Sequence, residues 1–157
     1  MRHILKLQRS LDDLIAPIEA GFEISTFLPE LEKNEWLELN NIIFTGHPDQ
    51  GNWSLPDLEN RMKERWFAAD GFFIAKCEQK IVGFCWMKIH HALVNQDPVG
   101  EIYVIGIAPD FKKKGLGRVL ASTGLKYLSD KKLKSAMLYV DADNQAALAM
   151  YQSLGFN

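Results

Sequence analysis

The residues best suited to chemistry lie in one run, Val104-Ile-Gly-Ile-Ala-Pro-Asp-Phe-Lys-Lys-Lys-Gly-Leu-Gly-Arg118. An apolar stretch enters a turn, then a basic loop, and helical spacing follows. Gly115 and Gly117 carry no Cβ, so a ligand can approach the main chain there. A helix beginning at this point leaves its first N–H groups unpaired and concentrates partial positive charge at that end. Lys112, Lys113, Lys114 and Arg118 add full charges around it. The combination suits a pyrophosphate.

Three phosphate chemistries compete with a plain helix entry bearing solvated lysines. A P-loop ends in Gly-Lys-Ser/Thr, but Gly117 is followed by Arg118, which removes that reading. A dinucleotide fingerprint needs a third small residue where Leu120 stands, and it belongs after the first strand of a fold rather than late in the chain. An acyl-CoA site is the third, and Gly-x-Gly alone does not distinguish it. The order of the elements around the loop does.

The bulk properties set limits. A chain of 157 residues with 47% apolar and 24% charged residues folds as one ordinary globular domain. Its 18 Lys and Arg against 20 Asp and Glu give a net charge of -2, without the basic footprint of a general nucleic-acid binder. No apolar run approaches the roughly 20 residues of a membrane span, and residues 1–20 lack the pattern of a secretory leader. Cys77 and Cys85 flank a short turn; in a hairpin Cys77 faces Lys80 or Ile81, so both thiols are expected free, in a reducing cytoplasm. His90 and His91 have no metal-ligand spacing with any acid or cysteine and read as surface loop residues, and no metal is expected.

The elements that position the loop follow from periodicity. His3 to Leu7 reads as a short strand and Ala16 to Gly21 as a linker. Phe22 to Phe27 alternates as a strand. Leu31 to Phe44 has helical spacing through Trp36, Leu39 and Ile43. Ser54 and Asp57 form a capping box for a helix carrying Leu58, Met62 and Trp66 on one face. Phe72 to Cys77 and Ile81 to Ile89 form a hairpin. The second strand is apolar on both faces, Val82, Phe84 and Trp86 on one and Ile81, Cys85 and Met87 on the other, which predicts a central position. Gly100 to Ala108 is a strand whose interior Gly106 marks a bulge or a close approach. A helix follows the basic loop, then a strand from Ala136 to Val140. A last helix is capped by Asp143 or Asn144 and stopped by Gly155. The first sheet strands meander, and the pair joined through a helix is parallel.

Strand, bulge, Lys-x-x-Gly-x-Gly, helix, strand, Asn, helix, Tyr and Gly-Phe, over residues 22–157, resembles the GNAT acetyltransferase superfamily. The expected fold is therefore α/β (α+β), a central mixed sheet flanked by helices. The family's closing C-terminal strand is missing after Asn157, so either the chain is a fragment of a longer tandem protein or the strand at Ala136 to Val140 takes another neighbour. Residues 3–8, from this chain or a second copy, are one source. Residues 1–20 read as a linker or remnant of a preceding domain, and 21–157 as the GNAT domain. More narrowly, Asn40-Asn41, the Phe44 to Gly51 segment with His-Pro-Asp-Gln-Gly, Gly83 to His90, Gly100 to Ile107 and Leu138-Tyr-Val-Asp-Ala-Asp-Asn144 resemble the C-terminal half of the mycothiol synthases, which join two GNAT domains.

The resemblance implies roles. Acetyl-CoA is the cosubstrate, its pyrophosphate on Lys112, Lys113, Lys114, Gly115, Leu116, Gly117 and Arg118, and its arm along Ile105, Gly106, Ile107 and Asn144. Glu101 is the general base and Tyr151 the general acid. Asp49, Lys88 and Tyr139 face the acceptor, the cysteine amine of cysteinyl-glucosaminyl-inositol. Read without the family, Glu101 is a strand-end carboxylate, Tyr151 a core tyrosine, Asn144 a helix cap, Asp49 a turn residue, Lys88 a solvated lysine and Tyr139 part of a buried strand. Asp49 is shorter than the Glu usual there, and Lys112 stands where Gln or Arg is usual. Acetylation of another amine, such as a protein N-terminus, and a non-catalytic acetyl-CoA-binding module are the alternative functions. A second GNAT domain or second copy is the expected protein partner.

Overall fold

The computed structural model describes residues 2–13, 21–91 and 94–157. Most of the expected linker Ala16 to Gly21 lies outside them. The elements run β1 (Ile4–Ser10), β2 (Glu23–Thr26), α1 (Pro29–Ile43), α2 (Leu55–Met62), β3 (Phe72–Cys77), β4 (Lys80–His90), β5 (Val99–Ile107), α3 (Leu116–Asp130), β6 (Ser135–Asp141) and α4 (Gln145–Ser153). One six-stranded sheet has the order β1-β6-β5-β4-β3-β2. β2 to β5 form the antiparallel meander, and β6 returns parallel to β5 through α3. The mixed sheet with helices on both faces is the expected α/β class.

Two cores cover the two faces. Leu116, Leu120, Leu125 and Leu128 of α3 pack on one face with Tyr151 and Phe156. Phe27, Trp36, Trp53, Leu58, Phe72, Phe84 and Trp86 fill the other, beneath α1 and α2. β4 is central and buried on both sides, as its composition predicts. Its phase differs from simple alternation. Ala75 pairs with Gly83 but Lys76 with Ile81, so Val82 is an extra residue. This bulge sends Val82 to the α3 face beside Cys85 and Met87, and returns Ile81 to the aromatic face beside Phe84 and Trp86.

The bulge in β5 is at Tyr103, not at Gly106. Trp86 pairs with Val104 and Met87 with Ile102, leaving Tyr103 unmatched. Gly106 instead marks a close approach, since a Cβ there would sit 2.8 Å from the Phe84 ring. The β3–β4 turn has two residues, Glu78 and Gln79, both at positive φ, as a twisted hairpin requires. α2 has its capping box at Ser54 and Asp57 but ends at Met62, so Trp66 lies beyond the helix and packs on Trp86 through an irregular turn.

β1 supplies the neighbour of β6. It pairs antiparallel along its whole length, from Ile4 against Asp141 to Ser10 against Ser135, and it belongs to the same chain. On its outer side, Gln8 and Asn157 exchange two backbone hydrogen bonds of 3.0 and 3.1 Å. Arg9 donates to the carbonyl of Leu154 at 2.5 Å, where α4 ends. There Gly155 adopts φ +93, and the amides of Gly155 and Phe156 return to Gln152 and Tyr151 in a Schellman motif. β1 thus fixes both β6 and the end of α4.

Trp36 is fully buried, with Phe72, Phe84 and Trp86 rings 5.1–5.7 Å away. Truncation leaves a cavity that close-packed rings cannot collapse into. Trp36→Ala is therefore expected to cost about 3–5 kcal/mol in urea denaturation; a cost below about 1 kcal/mol would show that this face is not the packed core described.

Candidate active site

β5 and β6 are hydrogen-bonded neighbours only at Gly100 to Ile102 opposite Ala136 to Leu138. Beyond these three pairs the strands part. A cleft of about 390 Å³ opens between them, lined by Glu101, Tyr103, Ile105, Tyr139, Asn144 and Tyr151. Its far rim is formed by Arg2, Phe44, His47, Asp49, Gln50 and Arg61. The β6-facing edge of β5 past Ile102 has no ladder partner, so its main-chain groups face the cleft.

Glu101 is buried at the floor where the strands separate. His90 Nε2 lies 2.6 Å from Glu101 Oε1. A carboxylate only accepts, so this is a hydrogen bond with the proton on Nε2. One carboxylate oxygen is thereby held and the other is left for a ligand. His90 is the last residue of β4 rather than a loop residue, which corrects the sequence reading. Lys88 is directly opposite Glu101, and His90 is the next same-face residue of β4.

Tyr151 projects from α4, its ring packed on Phe156 at 6.0 Å. Its hydroxyl has no hydrogen-bond partner among the described residues, and the side chain lines the cleft. Burial, with a smaller effect of Cys85, pushes its pKa well above the usual tyrosine value, so it holds its proton at neutral pH. Cys85 is itself fully buried and free, its pKa pushed up to about 12 by burial, which leaves an inert thiol. Asn144 caps α4 by accepting from the amide of Ala147 at 3.2 Å and also lines the cleft.

The basic loop lies at the end of β5, beyond the residues that line the cleft. Lys113 and Gly115 adopt positive φ, +64 and +81, and Gly115 opens α3 without a side-chain cap. No protein atom lies within 4 Å of a Cβ built on Gly115, so the glycine serves its left-handed backbone and keeps this face open. The six amides from Lys113 to Arg118 have no acceptor among the described residues. The side chains of Lys112, Lys113, Lys114 and Arg118 are exposed around them. Gly117 sits in the first turn of α3, where a Cβ would meet Met150 Sδ at 2.9 Å. Ile105, Gly106 and Ile107 pair with β4 and connect loop to cleft along β5.

The three residues expected at the acceptor separate. Tyr139 is half exposed on β6 and lines the cleft, not a buried strand face. Asp49 also lines it, but its Oδ2 accepts from Arg2 at 3.0 Å. Lys88 does not line it; its ammonium lies 4.8 Å from the Trp66 ring centre and 5.5 Å from that of Tyr103. The Asp49 loop is braced by hydrogen bonds. Asn40 and Gln50 exchange side-chain and main-chain bonds, Asn41 holds both main-chain groups of Trp53, and His47 Nδ1 accepts from the amides of Asp49 and Gln50. A Cβ on Gly51 would strike the Phe44 carbonyl oxygen, 2.3 Å away.

Sequence reasoning missed Arg2, Arg61 and His90. Arg2 bridges Asp141 at 2.6 Å and Asp49 at 3.0 Å, tying the start of the chain to both rims. The contact depends on β1 pairing, for which the sequence offered only a short apolar pattern. His90 required the β4–β5 register. Among the described residues no helix is long and apolar enough to cross a membrane, and no group of three or more His, Cys, Asp or Glu could hold a metal.

The model of the acetyltransferase (GNAT) family matches residues 34–156. A mycothiol acetyltransferase of Acidothermus cellulolyticus is 40% identical over 99% of this chain and 51% of its own length. One of Renibacterium salmoninarum is 47% identical over 90% of this chain and 42% of its own. The chain spans about half the length of these relatives. In structure it is similar to a GCN5-related N-acetyltransferase of Sphaerobacter thermophilus, with a TM-score of 0.78 at 20% identity over 99% of this chain and 48% of the other. With the parted strands and the loop before α3 in their expected order, this chain belongs to the GNAT acetyltransferase family.

Proposed function

We propose that this domain moves an acetyl group from acetyl-CoA to the cysteine amine of cysteinyl-glucosaminyl-inositol, the last step of mycothiol assembly. The observation that carries the proposal is the parting of β5 and β6, which leaves a carboxylate and an unpaired hydroxyl, Glu101 and Tyr151, lining one cleft. The acceptor follows from the relatives named mycothiol acetyltransferases and from the His-Pro-Asp-Gln-Gly loop at the rim. The half-length match supports action within a longer, two-domain protein. Two free cysteines and use of acetyl-CoA fit a reducing cytoplasm.

The residues present fit the cosubstrate. Six free amides and the surrounding lysines suit a pyrophosphate, and the unpaired edge of β5 suits an extended amide-bearing arm. Acetyl-CoA supplies an activated acetyl thioester. Glu101 accepts one proton of the acceptor ammonium on the oxygen that His90 does not hold, which frees the nitrogen lone pair to form the C–N bond as the C–S bond breaks; the second nitrogen proton replaces the one that Tyr151 gives up. His90 is a positioning residue: its N–H fixes the carboxylate rotamer. Tyr151, kept protonated by burial, donates its proton to the leaving sulfur. Asp49, Tyr139 and Arg2 face the polar acceptor from the rims.

The base is tested with purified protein, acetyl-CoA and an acceptor panel that includes the sugar-linked cysteine and a peptide N-terminus, by following thiol release. Glu101→Gln should lower kcat on the sugar-linked cysteine by about 100-fold or more while acetyl-CoA affinity changes little. His90→Ala should lower kcat by about tenfold, and His90→Gln, which retains a donor, should recover most of it. An unaffected rate in Glu101→Gln would remove the base, and equal losses in the two His90 variants would remove the positioning role.

For the acid, Tyr151→Phe should reduce turnover by about 10- to 100-fold without unfolding the domain. The loss should shrink with a donor whose thiol is more acidic, because that thiolate leaves without a proton. A loss independent of thiol acidity would contradict the assignment.

A further inference from the structure

Arg61 stands in the last turn of α2 and lines the cleft with Glu101 and Tyr103. Its guanidinium has no hydrogen bond or ion pair with any described residue, and its Nε is buried without an acceptor. Arg2, the other arginine on the lining, bonds to Asp141 and Asp49 instead. The guanidinium carbon of Arg61 lies 5.5 Å from the centre of the Trp53 ring and 6.0 Å from that of Tyr103. Trp53 is itself immobilised: Asn41 binds both of its main-chain groups, and its indole N–H donates to the Asp49 carbonyl. The cation is therefore packed on rings, while Asp57, one turn earlier on α2, feels its charge but bonds the Ser54 amide instead.

A helix C-terminus and aromatic faces offset part of the cost of desolvating this charge. Neither satisfies the in-plane N–H donors, of which a guanidinium has five. A cation retained only for stability would gain from an ion pair, and the Glu64 carboxylate, three residues on, makes none with it; only the Glu64 amide bonds the Arg61 carbonyl, at 3.2 Å. The Tyr103 hydroxyl, raised in pKa mainly by burial, is affected by Arg61 in one direction and by Glu101 in the other. Tyr103 is the bulged residue of β5, two positions along the strand from Glu101, and its ring centre lies 6.0 Å from the Arg61 guanidinium carbon.

We infer that Arg61 is a specificity-determining residue that recognises the carbonyl oxygen beside the reacting amine and so selects α-amino carbonyl acceptors over simple amines. The acceptor's amine faces Glu101, and its carboxamide or carboxylate oxygen receives the N–H groups of Arg61. The inference rests on the reading of the cleft as an amine-acetylation site. It adds a specificity-determining residue on α2, outside the strands and loops that carry the proposed chemistry.

Three ligands that share an aminothiol test it: cysteamine, which has no carbonyl, cysteinamide and cysteine. Calorimetric titration into the protein saturated with CoA, alongside turnover with acetyl-CoA, should show at least one carbonyl ligand favoured over cysteamine by about 10- to 100-fold, the worth of a charge-assisted hydrogen bond. The contrast between cysteinamide and cysteine separates a neutral from an anionic oxygen. Arg61→Met should bring the preference within about threefold while leaving CoA binding unchanged. Arg61→Lys, which keeps the charge but not the fork, should retain part of it and serves in place of Arg61→Met if that variant does not fold. Equal binding of all three ligands, no binding of any, or a preference that survives Arg61 replacement would overturn the inference. An Arg61-dependent preference in binding without acetylation of any ligand would instead sink the acetylation reading and leave the recognition intact.

Discussion

The structure depends on an unequal sharing of β6 between its two neighbours. β6 pairs with β1 over seven positions and with β5 over only three. Paired main-chain groups are obligatory in a sheet interior, so a strand released on one side must be held on the other. β1 provides that hold, and Arg9 and the bonds between Gln8 and Asn157 extend it to α4. The parted ends of β5 and β6 are then a fixed opening, not a frayed one. Glu101 lies where the opening begins, and Tyr151 and Asn144 on α4 face it.

Pairing of this kind also explains the division of labour along β5. Its start is in the ladder on both sides and anchors Glu101. Its end is paired only with β4 and leads to the loop with six free amides. A single strand therefore connects a carboxylate in a buried, polar-edged cleft to an open anion site. The aromatic face beneath α1 and α2 supports the same arrangement from below, because Trp86 packs against both Trp66 and Tyr103. The bulged Tyr103 brings Arg61 and Glu101 to one side chain.

Much of this was legible from local signals. The capping box at Ser54, the hairpin at Glu78 and Gln79, the Gly155 stop and the helix from Leu116 each rest on contacts within a few residues, and the structure contains them. The bulges at Val82 and Tyr103 were not legible. β4 is apolar on both faces, so a one-residue change of phase leaves no trace in its composition. The pairing of His90 with Glu101 depends on that register, and the release of Lys88 to the Trp66 ring depends on where α2 ends. Arg61 carries no signal in the sequence, because its two rings come from the loop before α2 and from β5. For the site roles, Glu101 and Tyr151 acquired meaning only from the family pattern; neither residue type nor spacing alone separated them from a strand-end glutamate and a core tyrosine.

The central claim is that the strand opening and the loop before α3 form one acetyl-CoA site. Amide chemical-shift mapping of the whole chain during titration with CoA tests it most directly. Saturable shifts are expected to concentrate at Lys113 to Arg118 and at Ile105 to Ile107, with little change along β2 and β3. Saturable binding that leaves Lys113 to Arg118 unmoved, or no binding at millimolar CoA, would contradict it.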